Sequence, residues 1–123
     1  MKYFVKFDFT IYGYSSRDFN SDEMAILGAF FTTDYDLFGI ETLIKWVKDP
    51  SQCYTNANLS YLEKENGIVS IGDLYDEEPI ITFDLSEKQF IELIESWEAL
   101  VAQRPKEIII TRNNDQIKLE GRN

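Results

Sequence analysis

The sequence places four carboxylates within the six residues 73–78, which read DLYDEE, with one tyrosine among them. Carboxylate oxygens are the ligands that hard cations such as Ca²⁺ prefer, but a calcium-binding loop carries them at alternate positions and has a glycine at its sharp turn. The stretch has neither the alternation nor the glycine, and Pro79 follows it directly. The spacing therefore gives only a weak indication of a metal site, and leaves acid/base chemistry or attraction of a basic partner as further uses.

Catalysis is limited by the residue types that the chain contains. It has no histidine, which removes the usual general base and the commonest transition-metal ligand. It also lacks a Ser-x-x-Lys motif, a Gly-x-Ser-x-Gly motif and a phosphate-binding glycine run. A carboxylate pair could hydrolyse a sugar, with Asp34 and Asp36 or Asp73 and Asp76 as candidates, but 123 residues leave little room for a sugar cleft. We therefore expect no enzyme, no catalytic residue, no bound metal and no cofactor.

The charge balance indicates the kind of partner. The chain has 22 acidic and 12 basic residues, for a net charge of −10. Residues 31–85 carry eleven of the acidic and three of the basic residues, and so hold −8 of this charge. Such a surface repels nucleic acid and anionic membranes and attracts basic proteins. The plain alternative is that the acidity serves only solubility.

Aromatic residues accompany the acids in this central segment, as in Asp34-Tyr35-Asp36 and around Tyr75. Phe38 and Trp46 lie off the apolar stripe of a helix predicted from Asp36, so they either pack beneath neighbouring loops or remain exposed as anchors. Exposed aromatics supply affinity in a protein interface, and carboxylates supply steering and register. The predicted partner-binding residues are Asp34, Tyr35, Asp36, Phe38, Trp46, Asp73, Tyr75, Asp76, Glu77 and Glu78.

The first half of the chain predicts a strand and a helix with an ambiguous region between them. Apolar residues alternate with polar ones from Tyr3 to Ile11, which is the pattern of a strand with one face on a core. Residues 13–20 are polar and turn-like, and residues 22–32 fit a helix and a strand equally well. A helix capped by Asp36 is expected to run to Asp49-Pro50.

The second half is more clearly marked. Asn66-Gly67 predicts a tight hairpin between strands 59–64 and 68–73, and residues 80–84 form a further predicted strand. Ser86 and Gln89 form a capping box for a helix that ends before Pro105. Two strands close the chain, at 108–110 and 116–120, and the first is apolar enough to be central. We predict a single α+β domain over residues 1–123, with a mainly antiparallel β-sheet and two or three helices packed on it.

The C-terminal third of the chain, FDLSEKQFIELIESWEALVAQRPKEIIITRNNDQIKLEG, has a capped helix with a tryptophan, a proline stop and a closing hairpin. In this order of elements it resembles the ending of immunity proteins from bacterial contact-dependent growth inhibition and related polymorphic toxin systems. The resemblance implies an acidic, non-enzymatic, cytoplasmic protein that binds the toxin domain of a neighbouring gene and occludes its active site, often that of a basic nuclease. It assigns no individual site residue.

The remaining expectations concern location and alternatives. No apolar run approaches the roughly 20 residues that span a bilayer, and the residues after Met1 alternate where a signal peptide would need a continuous apolar block. The single cysteine, Cys53, can form no internal disulfide, which fits a reducing compartment. We expect a cytoplasmic protein, with a monomer favoured. The alternative functions are an acidic nucleic-acid mimic that inhibits a DNA-binding or restriction protein, and a small metal-dependent enzyme.

Overall fold

The computed structural model describes residues 2–77 and 80–123, which form two four-stranded antiparallel sheets with helices between their strands. The strands of the first sheet are β1 (Lys2–Thr10), β2 (Gly13–Phe19), β7 (Glu107–Asn113) and β8 (Gln116–Arg122), in the spatial order β2-β1-β7-β8. The strands of the second sheet are β3 (Tyr54–Asn56), β4 (Ser60–Glu65), β5 (Ile68–Asp73) and β6 (Thr82–Ser86), in sequential order.

Three helical segments connect the strands. The first contains helix α1 (Asp22–Ala29), a π-helical turn (Phe30–Asp34) and the short helix α2 (Tyr35–Phe38) without interruption. Gly39, at a φ of 78° that favours glycine, separates it from helix α3 (Ile40–Lys48). Helix α4 (Glu87–Gln103) begins at the capping box and ends at Arg104, which has left-handed backbone angles.

One hydrophobic core serves both sheets. Helix α1 packs against β1 and β2 of the first sheet and also against β5 and β6 of the second, while helix α4 contacts β8, β6 and β5. The centres of the inner faces of both sheets are fully buried, as at Val5, Ile110, Ile71 and Phe83. Trp97 lies within this core. Because the helices join the two sheets through one set of buried side chains, neither sheet has a separate core.

The architecture confirms the predicted α+β class, and differs from the sequence prediction in the number of sheets, since there are two rather than one. The Asn66-Gly67 hairpin, the capping box and the inner position of β7 are confirmed. The turn-like assignment of residues 13–20 is wrong, because most of this stretch is strand β2. The ambiguous residues 22–32 are helical.

Two further corrections concern element boundaries. Asp36 is not a helix cap, since the helical segment already begins at Asp22 and continues through it. The strand predicted over 80–84 is shifted to Thr82–Ser86. Among the helices that the structure describes, none is long and apolar enough to cross a membrane.

Candidate functional site

A groove of about 430 Å³ lies between helix α1 and the loops that flank strands β4 and β5. Its lining combines apolar side chains with three carboxylates. We call it the acidic groove, and its lining residues are Asp22, Ala25, Ile26, Ala29, Leu59, Ser60, Asp73, Tyr75, Asp76 and Ile81.

One face of helix α1 forms the helical wall of the acidic groove. Asp22, Ala25, Ile26 and Ala29 are spaced at i, i+3, i+4 and i+7, which places them on one side of a helix. The side-chain oxygen of Ser21 accepts a hydrogen bond from the backbone N–H of Met24 and fixes the start of the helix. The small alanine side chains allow another chain to approach the helix closely.

The opposite wall is formed by residues that follow β5, where the Asp73 and Asp76 side chains accept backbone hydrogen bonds. Asp73 Oδ1 accepts the backbone N–H of Tyr75 at 2.8 Å. Asp76 accepts the backbone N–H groups of Glu77 at 3.1 Å and of Ile81 at 3.3 Å. The N–H of Leu74 donates to the carbonyl oxygen of Leu59 at 2.8 Å, which ties this loop to the one before β4. Backbone hydrogen bonds therefore fix the positions of the Asp73 and Asp76 carboxylates.

Large apolar side chains are exposed around the same groove. Tyr75 is 74% exposed, Ile80 is 50% exposed and Leu59 is 39% exposed. Exposed aromatic and aliphatic groups beside carboxylates are the combination that anchors and steers a basic protein segment. The acidic groove carries both kinds of group.

Asp34, which we predicted at the interface, is instead fully buried beneath this surface. Its carboxylate accepts hydrogen bonds from the backbone N–H groups of Asn58, Leu59 and Ser60. Burial leaves it unable to contact a partner, so the expectation that it is exposed is wrong. Its effect on the groove is indirect, because it fixes the backbone of Leu59, which lines the groove.

Tyr35 is also buried, and its hydroxyl donates a hydrogen bond to Glu98 Oε1 at 2.7 Å. Burial, followed by the hydrogen bond to Glu98, raises the pKa of Tyr35 above its ordinary value. Asp36 remains on the surface, where partial loss of hydration and then the Glu98 charge raise the pKa of its carboxyl. Tyr35 belongs to the core, and Asp36 lies outside the lining of the acidic groove.

Phe38 and Trp46 line a different depression of about 300 Å³. Trp46 is only 6% exposed, and the ammonium group of Lys64 lies 4.7 Å from the centre of its ring. Phe38 is half-buried against the core. Of the two alternatives for these aromatics, packing into the fold is therefore the one observed, and Trp46 is not an exposed anchor.

The structure thus brings Asp73, Tyr75 and Asp76 together and separates them from the other predicted residues. Glu77 follows them as an exposed residue, and Glu78 lies outside the described residues. Sequence reasoning missed Asp22, Ile26 and Leu59. The helical spacing of residues 22–29 was the available signal, but it is informative only once the region is known to be a helix.

Comparisons with known proteins add no assignment, because no protein-family model, no curated protein and no solved structure matches this chain significantly. Within residues 2–77 and 80–123, no group of three or more potential metal-ligating side chains lies close enough together to hold an ion.

Proposed function

We propose that this protein is a non-enzymatic inhibitor of the immunity-protein kind, which binds a basic toxin domain and covers its active site. The observation that carries the proposal is the acidic groove, where an apolar helical wall meets the carboxylates of Asp22, Asp73 and Asp76. A basic polypeptide segment with some apolar side chains is the occupant that suits both parts.

The two parts of the groove have different roles in binding. Tyr75 and Leu59, which are exposed in the free protein, bury apolar area against the partner and so supply affinity. The three aspartates and the exposed Glu77 pair with lysine and arginine side chains and fix the register of the segment.

Occlusion follows from the chemistry of the partner. A nuclease holds the phosphates of its substrate with lysine and arginine side chains. Carboxylates that pair with those side chains occupy the same surface, so nucleic acid cannot bind there. The net charge of −10, most of it in residues 31–85, accelerates the encounter with such a partner.

A variant that removes charge but keeps most hydrogen bonds of the loop tests the proposal. Replacing Asp22, Asp73 and Asp76 by asparagine removes three charges, and the asparagine oxygen can still accept the N–H groups of Tyr75 and Glu77. Only the hydrogen bond from the Ile81 N–H to the second oxygen of Asp76 is lost. The matched control replaces three exposed acids outside the groove by glutamine, namely Glu41, Glu65 and Glu95. Both variants change the net charge equally, so only the position of the lost charge differs.

Each tagged protein is used to capture partners from a lysate of the host, and the retained proteins are identified by mass spectrometry. We expect one basic protein that the wild type and the control retain and the groove variant loses. Its toxic activity should be suppressed by the wild type, and its association with the groove variant at low salt should be roughly tenfold slower. Equal retention by all three proteins, or a captured protein that stays active in the complex, would contradict the proposal.

A further inference from the structure

Strand β8 lies at one edge of the first sheet, and no strand of the described part of the chain pairs with its outer side. At the other end of the same sheet, the Thr32 hydroxyl accepts the backbone N–H of Ser16 in β2. In the second sheet, Arg112 donates to the backbone carbonyl of Asp84 in β6, and β3 is only three residues long. Strand β8 has seven residues and, within the described chain, pairs only with β7. Unpaired backbone groups on such an edge are a template for another strand.

The sequence of β8 is complementary to itself in an antiparallel arrangement. It reads QIKLEGR, with Leu119 at its centre. When two copies pair about this residue, Lys118 of each copy lies opposite Glu120 of the other. Gln116 lies opposite Arg122 in the same register. Opposite charges on facing residues stabilise a strand pair, and like charges destabilise it.

The charged and apolar residues of β8 occupy different faces of the sheet. Leu119 pairs with Ile110, whose side chain is in the core, and so points inward, while Lys118 and Glu120 alternate with it and are exposed. The two charge pairs would therefore form together on the outer face. On the inner face, Leu119 of one copy meets Leu119 of the other.

A groove with apolar side chains in its lining lies beside this edge. It has a volume of about 380 Å³ and lies between helix α4 and β8, with the apolar side chains of Leu93, Ile117 and Leu119 in its lining. Ile117 and Leu119 are only half-buried in the single chain. A second β8 strand along the edge would cover part of this apolar surface.

We propose that two copies of this chain associate through β8, which pairs antiparallel with β8 of the second copy. The β2-β1-β7-β8 sheets of the two copies then form one eight-stranded sheet. The arrangement has two-fold symmetry, so one strand supplies both halves of the interface. Charges of a single sign would protect the edge against pairing, whereas a lysine and a glutamate placed symmetrically about Leu119 favour pairing with a second copy. The proposal departs from the monomer that the sequence led us to expect, and it does not involve the acidic groove.

Charge reversal tests the register directly. Lys118→Glu and Glu120→Lys each turn both charge pairs of the symmetric dimer into repulsive ones, and each should weaken dimerisation by roughly tenfold or more. The double variant restores both pairs and should dimerise within about threefold of the wild type. A mixture of the two single variants should form heterodimers, because both 118–120 pairs in the mixed complex are again of opposite sign.

The measurements are sedimentation equilibrium for the dissociation constant and native mass spectrometry for the mixture, both at physiological ionic strength. Lys45→Glu, at an exposed position on helix α3, is the control for the change in net charge and should leave dimerisation unchanged. A wild-type protein that stays monomeric at about 100 micromolar, the concentration at which a weak dimer should still form, overturns the proposal. The β8 edge would then be available to a strand of another protein. A dimer that is insensitive to both single variants, that Lys45→Glu also weakens, or that fails to form heterodimers overturns it as well.

Discussion

Asp34 shows how one buried carboxylate can shape a surface that it does not reach. Its side chain is fully buried and accepts hydrogen bonds from three successive backbone N–H groups, at Asn58, Leu59 and Ser60. The Ser60 N–H is buried, and a buried N–H without an acceptor is costly. All three N–H groups depend on the one Asp34 carboxylate. The loop before β4, and with it one wall of the acidic groove, therefore depends on Asp34.

We expect Asp34→Ala to lower the free energy of unfolding by about 3 kcal/mol, because it leaves the buried Ser60 N–H without an acceptor and removes the bonds to Asn58 and Leu59. Urea unfolding measures the loss, and hydrogen exchange at the amides of residues 58–60 should accelerate. Asp36→Ala, two residues away at an exposed position, is the control and should change stability by no more than about 0.5 kcal/mol. Equal stability of the two variants would show that Asp34 does not hold the loop.

Tyr35 makes stability sensitive to alkaline pH. Burial, and then Glu98, raises the pKa of Tyr35 above the ordinary value of about 10 that tyrosine has in an unfolded chain. Above pH 10, the unfolded chain loses this proton while the folded protein keeps it, so stability falls as pH rises. Burial also raises the pKa of Tyr14 and Tyr61, which adds to the same fall.

Tyr35→Phe should therefore cost about 1 kcal/mol at neutral pH, because the hydrogen bond to Glu98 is lost. Above pH 10, its stability should decline less steeply than that of the wild type. Urea unfolding at a series of pH values between neutral and strongly alkaline measures both effects. The control is Tyr12→Phe, at a side chain that is 90% exposed. Parallel stability curves for Tyr35→Phe and the wild type would contradict the assigned burial effect.

At the scale of elements, helix α4 depends on its capping box. The Ser86 side chain accepts the N–H of Gln89 at 3.0 Å, and the Gln89 side chain accepts the N–H of Ser86 at 3.0 Å. We expect Ser86→Ala to destabilise the protein by about 1 kcal/mol, since a free N–H remains at the helix start. Ser96→Ala, at an exposed position on the same helix, should be neutral or slightly stabilising because alanine has the higher helix propensity. Thermal unfolding distinguishes the two variants.

The elements that the sequence predicted correctly are those with local signals. The geometry of the Asn66-Gly67 turn and of the Ser86 capping box is determined by a few neighbouring residues, and the structure confirms both. Strand β2 has no such signal, since its polar sequence GYSSRDF is held in place by pairing with β1. The separation into two sheets could not be predicted either, because it depends on contacts between distant segments.

The residues of the candidate site also divide into those that local sequence predicted and those that it did not. Asp73, Tyr75 and Asp76 are neighbours in sequence, so a cluster of acids was enough to find them. Asp22 and Leu59 join them only through the packing of helix α1 beside the second sheet. Asp34 was predicted at the surface because a carboxylate is usually exposed. Its burial is explained by three backbone N–H donors from a loop more than twenty residues away. No pattern in the residues next to Asp34 predicts these hydrogen bonds.

At the scale of the whole molecule, the shared core requires the two sheets to unfold together. Trp97 packs between Phe7 of the first sheet and Phe31, with ring centroids 4.8 Å and 4.3 Å away. Trp46 lies on helix α3, under Lys64 of the second sheet. The two tryptophans thus report on different sheets, and both belong to the same hydrophobic core. Separating the sheets would expose the inner faces of both to water, at a cost that grows with the apolar area uncovered.

Two variants with a single tryptophan test this cooperativity. Trp46→Phe leaves Trp97 as the fluorescent reporter, and Trp97→Phe leaves Trp46. Within each variant, we expect the urea midpoint from fluorescence to coincide with the midpoint from far-ultraviolet circular dichroism, because a single cooperative transition gives the same midpoint for every probe. Comparison within a variant matters, since loss of either buried ring lowers stability by itself. A Trp46 signal that changes at lower urea than the circular dichroism would mean that α3 and the second sheet open first, and that the core is less continuous than its contacts indicate.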